Sequence, residues 1–151
     1  MTLKDLENYD AIWRAPLSFK YKNLKIHSMG LTSSGGVCLA QIMSMIAPYD
    51  INEYGAHSVE AIQLMVESER RSFADRSKFL GDPDFVDFNV DLLLDQNYLN
   101  KRMSSFSFSE ATASKDLTPG TVVWPESKHT THYSIVVLEG HAGSVTNQLN
   151  A

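Results

Sequence analysis

From Ile26 to Tyr49 the chain carries no Asp, Glu, Lys or Arg. A charge-free stretch of that length belongs in an apolar setting, either a protein core or a membrane. Its punctuation separates the two. Ser33-Ser34-Gly35-Gly36, Gln41 and Pro48 interrupt it, which suits a loop followed by a core helix and not a membrane span. The loop is expected over Gly30–Gly36, with Ser33 or Ser34 as the helix cap. The helix is expected from about Gly36 to Ala47, where Pro48 stops it. Val37, Ala40, Ile42, Met43 and Ile46 give it a broad apolar stripe and imply deep burial. The remaining chain can build around such a helix: 43% of its 151 residues are apolar and 21% charged, which excludes disordered or low-complexity classes and fits one domain.

The flanking elements follow from pattern. Thr2 caps a short helix over Leu3–Tyr9, with Asp5 as its capping-box partner. Phe19 and Tyr21 alternate with polar residues, as do Leu24, Ile26 and Ser28 beyond Lys22-Asn23, so a hairpin with one buried face is expected. Ser58 starts a long helix to Phe79, with Val59, Ile62, Met65, Val66, Phe73 and Ala74 near helical spacing and Glu67 placed to pair with Arg71. Gly81-Asp82-Pro83-Asp84 is a turn, and a third helix spans about Val90 to Met103. Ser104–Pro125, rich in Ser and Thr, is expected to be a mobile connector. His132–Val137 and Ser144–Thr146 are strand-prone around a turn at Glu139-Gly140. The abrupt end after the second strand suggests a truncation, because a strand pair alone cannot bury both faces.

Charge and composition exclude several functions. Thirteen Lys and Arg against eighteen Asp and Glu leave a net charge of −5, unsuited to gripping a phosphate backbone. Cys38 is the only cysteine, so an intrachain disulfide and a thiolate-rich zinc site are both impossible; on an apolar helix it reads as core. The start, Met1-Thr2-Leu3-Lys4-Asp5, lacks the features of a secretory signal. Ser33-Ser34-Gly35-Gly36 is neither a phosphate loop nor a nucleophile elbow, and capping explains it better. His129, His132 and His141 make poor joint metal ligands, since strand positions three apart face opposite sides. Asp75-Arg76 and Gly81-Asp82-Pro83-Asp84 could form a polar network, but a helix-end ion pair and a turn are the favoured reading. Thr130-Thr131-His132-Tyr133-Ser134 is an ordinary strand start in most proteins. It becomes chemistry if the preceding bond is cut, because the freed α-amine, with a pKa near 8, then lies beside the Thr130 hydroxyl and serves as its base.

Several blocks together carry a resemblance. Met1–Tyr9, Ser33-Ser34-Gly35-Gly36, Phe73-Ala74-Asp75-Arg76-Ser77, Leu80–Phe85 and Thr130–Ser134 occur in the order found in the γ-glutamyltransferases (γ-glutamyl transpeptidases), which are N-terminal-nucleophile hydrolases. The resemblance implies an α+β fold, here part of an αββα sandwich. Residues 1–129 would match the end of the large-subunit region, with 104–129 as the connector, and residues 130–151 the start of the small subunit. It implies self-cleavage at His129–Thr130, with Thr130 as the processing and catalytic nucleophile. The substrates would be glutathione or other γ-glutamyl compounds, with water, an amino acid or a dipeptide as acceptor. No metal or organic cofactor is called for, and the setting would be periplasmic or extracellular.

The resemblance also implies substrate-side roles downstream. Asn150 matches a position that contacts the glutamyl head group, and Gln148 stands where the family has a Thr supporting the nucleophile. His141 replaces the usual Asn after the hairpin Gly, and Gly143 and Ser144 loosen a normally apolar strand. The family's carboxylate-binding arginine, later acidic and serine contacts and oxyanion glycines match nothing in this chain. The expected function is therefore that of a γ-glutamyltransferase piece, nearly inactive alone and completed by flanking segments. The alternative is a non-catalytic remnant or a complementing scaffold piece.

Overall fold

The computed structural model describes residues 2–122 throughout and, as backbone strands, Thr130–Val136 and Ala142–Gln148. Element order is α1 (Leu3–Glu7), β1 (Leu17–Tyr21), β2 (Leu24–Ser28), α2 (Gly35–Ile46), α3 (Ile51–Tyr54), α4 (Val59–Phe79), α5 (Asp91–Leu94), α6 (Gln96–Arg102), β3 (Thr130–Val136) and β4 (Ala142–Gln148). β1 and β2 form one antiparallel hairpin, and β3 and β4 a second. The architecture is thus mixed helices with two-stranded antiparallel hairpins. Among the described residues no helix is long and apolar enough to cross a membrane.

Most local expectations hold. The Thr2–Asp5 capping box is present, though α1 ends at Glu7 and not at Tyr9. The first hairpin turns at Lys22, which takes the left-handed conformation (φ 51°), with Phe19 opposite Ile26 and Tyr21 opposite Leu24. α4 begins with the Ser58 hydroxyl accepting the Ala61 amide N–H at 3.1 Å. The predicted third helix is divided. Asp95 is extended and its carboxylate accepts the Tyr98 amide N–H at 3.0 Å, so it caps α6 and interrupts the run after α5.

α2 and α4 pack together at the centre. One apolar cluster joins Met45 and Ile46 of α2 to Leu64, Leu99 and Met103; another joins Val37 to Phe79, Phe88 and Leu93. Gly36 permits a close approach: a Cβ there would collide with the Met29 carbonyl oxygen. α4 does not bury the apolar residues whose spacing marked it as a helix. Val59, Ile62, Met65, Val66 and Phe73 are exposed, and α4 instead buries Ala61, Leu64, Glu67, Ser68, Arg71, Ser72, Asp75 and Phe79. The buried face holds two carboxylates and a guanidinium, an arrangement that is stable only where each is paired and hydrogen-bonded.

Candidate functional site

That pairing fastens the connector after α6. Glu67, Arg71 and Asp75 lie four apart and so share one face of α4. The Arg71 guanidinium, 2% exposed, donates to the Glu67 carboxylate, to the Arg102 carbonyl at 2.8 Å, to Ser105 Oγ at 3.0 Å and to Thr112 Oγ1 at 3.1 Å. Thr112 in turn gives its hydroxyl proton to Glu67 Oε2 at 2.6 Å and its amide N–H to Oε1 at 3.3 Å. Burial alone would push the Glu67 carboxyl up, but the bonds from Thr112, Arg71 and Arg70 outweigh it and hold the group below the usual value of 4.5.

One turn of helix further on, Asp75 Oδ1 accepts the Gly120 amide N–H at 2.9 Å and faces Arg102 Nη2 at 3.1 Å. Its Oδ2 accepts from the Tyr98 hydroxyl at 2.8 Å and from Gln41 Nε2 at 3.1 Å. Burial, then the Asp75 charge, raises the Tyr98 phenol well above its ordinary value. Arg102 also donates to the Thr118 carbonyl at 2.9 Å, and Gln63 donates to the carbonyls of Ser107 and Glu110. Phe106 and Phe108 pack edge-on against each other and against Tyr49. The expected mobile connector is therefore corrected over its described part: residues 106–120 are fastened along their length. The helix-end ion pair expected at Asp75-Arg76 is corrected too. Asp75 sits within α4 at the heart of this network, while the Arg76 guanidinium donates to Ser34 Oγ at 2.8 Å.

The other flagged motifs resolve simply. Ser34 occupies the cap position of α2 without a capping bond from its side chain, and Ser33 Oγ accepts the Gly35 amide N–H at 3.3 Å. Asp82 Oδ1 accepts the Asp84 amide N–H, as expected of a turn, and Asp84 pairs with Arg14 at 2.6 Å. These groups border an open cleft of about 900 Å³ with His27, Gly30 and Ser33 on its wall. Cys38 is buried in the core, and burial pushes its thiol up. Among the described residues no group of His, Cys, Asp and Glu is placed to hold a metal ion.

Thr130 opens β3, two residues earlier than the sequence pattern suggested, and β4 likewise extends to Ala142–Gln148. The register pairs Thr130 with Gln148 and His132 with Thr146. Directly opposed residues of an antiparallel pair lie about 4.5–5.5 Å apart at Cα. The hairpin thus joins the expected nucleophile to the position expected to support it. His129, His141 and Asn150 lie outside the described residues.

A model of the gamma-glutamyltranspeptidase family matches residues 1–151. The chain belongs to the gamma-glutamyltranspeptidase family. It is 38% identical to the glutathione hydrolase proenzyme of Escherichia coli over 150 residues, which is 99% of this chain and 26% of that protein. It is 33% identical over 146 residues to the acylase ACY 1 proenzyme of Pseudomonas sp. V22, covering 97% of this chain and 25% of that protein. Among solved structures, the Helicobacter pylori gamma-glutamyltranspeptidase superposes with a TM-score of 0.74 at 34% identity, over 79% of this chain and 34% of that one. The chain spans about a quarter of the length of the curated relatives it matches.

Proposed function

We propose that this chain carries the processing junction and the nucleophile of an enzyme that hydrolyses or transfers γ-glutamyl groups from glutathione and related compounds. The observation that carries the reading is the placement of Thr130 at the first position of a strand, opposite Gln148, in a chain matched throughout by the family. In the first reaction, Thr130 Oγ attacks the His129 carbonyl carbon. The C–N bond breaks, the hydroxyl proton passes to the departing amine, and an ester remains. Water hydrolyses that ester, leaving a carboxylate on His129 and a free α-amine on Thr130.

That amine then serves as the base for its own hydroxyl. Thr130 Oγ attacks the γ-carbonyl of the substrate, the amide C–N bond breaks, and the leaving amine takes the proton. Water releases glutamate from the resulting ester, or an amino acid or dipeptide amine forms a new γ-glutamyl amide. Asn150 contacts the glutamyl head group, and Gln148 steadies the nucleophile across the hairpin. The helices and both hairpins form part of an αββα sandwich, in which residues 1–129 belong to the large-subunit side and 130–151 to the small-subunit side. The parent enzyme works in the periplasm or outside the cell.

The chain alone turns over little, because the oxyanion donors belong to segments it does not span, and losing one such donor costs roughly 3–4 kcal/mol of transition-state stabilisation. Gln148, standing where the family has a threonine, favours a second reading: a non-catalytic remnant or complementing scaffold piece. Release of the aniline from a γ-glutamyl anilide separates the two. Co-expression with the remaining segments of a relative is expected to give turnover that Thr130→Ala abolishes. Equal turnover with and without that substitution refutes the nucleophile.

A further inference from the structure

We infer that the outward face of α4 is an interaction surface whose occupant is the part of the gamma-glutamyltranspeptidase architecture lying outside these 151 residues. The inference rests on family membership and on the helix itself, and it is independent of the processing proposed above. Val59, Ile62, Val66 and Phe73 follow one another at spacings of three, four and seven, so they line one side of α4. At 1.5 Å per residue that stripe runs about 21 Å. All four side chains are exposed, from 42% at Val66 to 75% at Val59, and Met65 beside them is exposed too. Arg70, next to the stripe, is drawn off it toward Glu67 and Ser114.

The opposite side of α4 is already committed. Leu64 and Phe79 pack into the two apolar clusters there, and Glu67, Arg71 and Asp75 are buried and paired. A helix sealed on one side into its own body, with an apolar stripe along the other, is suited to lie between two layers. Single apolar side chains on a surface need no partner, but an aligned stripe along a long helix marks a contact. Length points to the occupant, because the chain spans about a quarter of its curated relatives. A second copy fits less well, since each copy carries a net charge of −5 and like charge opposes pairing. The occupant's matching surface is apolar and uncharged along the stripe, because a charge buried there would lack a partner.

The test co-expresses the chain with the parts of the Escherichia coli glutathione hydrolase proenzyme that lie outside its match to this chain, tagged for capture. The unmodified chain is expected to be captured. Val66→Glu should be captured at least about tenfold less, and Val66→Leu about as well as the unmodified chain. Both should melt with the unmodified chain when isolated, because the position is exposed there. Cys38 is buried, so a thiol introduced by Val66→Cys reports on the stripe. Its reaction with a maleimide should be fast in the isolated chain and at least about tenfold slower in the captured complex. No capture of the unmodified chain, equal capture of Val66→Glu, or equal labelling in both states overturns the inference. So does slow labelling of the isolated chain that speeds up on dilution, which assigns the stripe to a second copy. Capture needs no turnover, so a captured but inactive complex overturns the nucleophile reading and supports this one.

Discussion

Replacing Arg71 by Met should destabilise the chain out of proportion to the size of the change. Methionine preserves the length and the apolar stem of the side chain. It removes the donors that now reach Glu67, the Arg102 carbonyl, Ser105 and Thr112. Glu67, 1% exposed, keeps Arg70 and Thr112 but loses its buried counter-charge. Breaking a buried pair by removing one partner costs about 3–5 kcal/mol, and the surviving partners place this case near the lower end. At about 2–4 °C per kcal/mol for a chain of this size, a loss of about 3 kcal/mol lowers Tm by about 6–12 °C. The double variant Glu67→Gln/Arg71→Met no longer strands a charge. It should therefore recover at least about 1 kcal/mol relative to the sum of the single changes, the coupling expected of neighbours in one network. Urea unfolding followed by circular dichroism measures all four chains. Single and double changes that add, with Arg71→Met costing less than about 1 kcal/mol, refute the idea that this network holds the connector.

Three further outcomes follow from the same helix. The Glu67 carboxyl titrates below its ordinary range in the folded chain, so its contribution is fully present above the unfolded value of about 4.5 and is lost as pH falls through the lower folded value. The stability gap between the unmodified chain and Glu67→Gln should narrow below about pH 4, as read by urea midpoints from pH 3 to 7; a constant gap contradicts it. Leu64→Ala should cost about 2–5 kcal/mol, because Leu64 is fully buried. Ile62→Gln and Met65→Gln, on the exposed side of α4, should each stay within about 0.5 kcal/mol, and a larger loss would mean that this side is covered in the isolated chain.

The local signals in the sequence were strong where one residue decides the backbone. Thr2, Ser58, Pro48 and the Lys22-Asn23 turn each act within a few residues, and the structure follows them. The orientation of α4 was not legible in the same way. Its apolar residues at 62, 65, 66 and 73 have helical spacing, yet the core side is Leu64, Ser68 and Ser72 interleaved with Glu67, Arg71 and Asp75. A spacing of four between opposite charges predicts a surface pair equally well, and only the arrival of Thr112 and Gly120 from far along the chain makes it a buried one. The serines on that face were the available signal, since small side chains let α2 approach and Ser72 bonds Gln41 across the contact. The connector failed for the same reason: its Ser and Thr content resembles that of a loose segment, while its order comes from partners on α4 and α6. The candidate nucleophile was legible because a short ordered motif carries it, and the pairing of Thr130 with Gln148 required the register.

The central claim is that the bond before Thr130 breaks by the action of its own hydroxyl. Intact-mass analysis of the purified chain, with N-terminal sequencing of any product, tests it most directly. The account predicts two species, one of them the 22 residues that begin at Thr130 and end at Ala151, with masses summing to the chain plus one water and with neither formed in Thr130→Ala. A single uncut chain of 16.9 kDa that persists in both forms contradicts it.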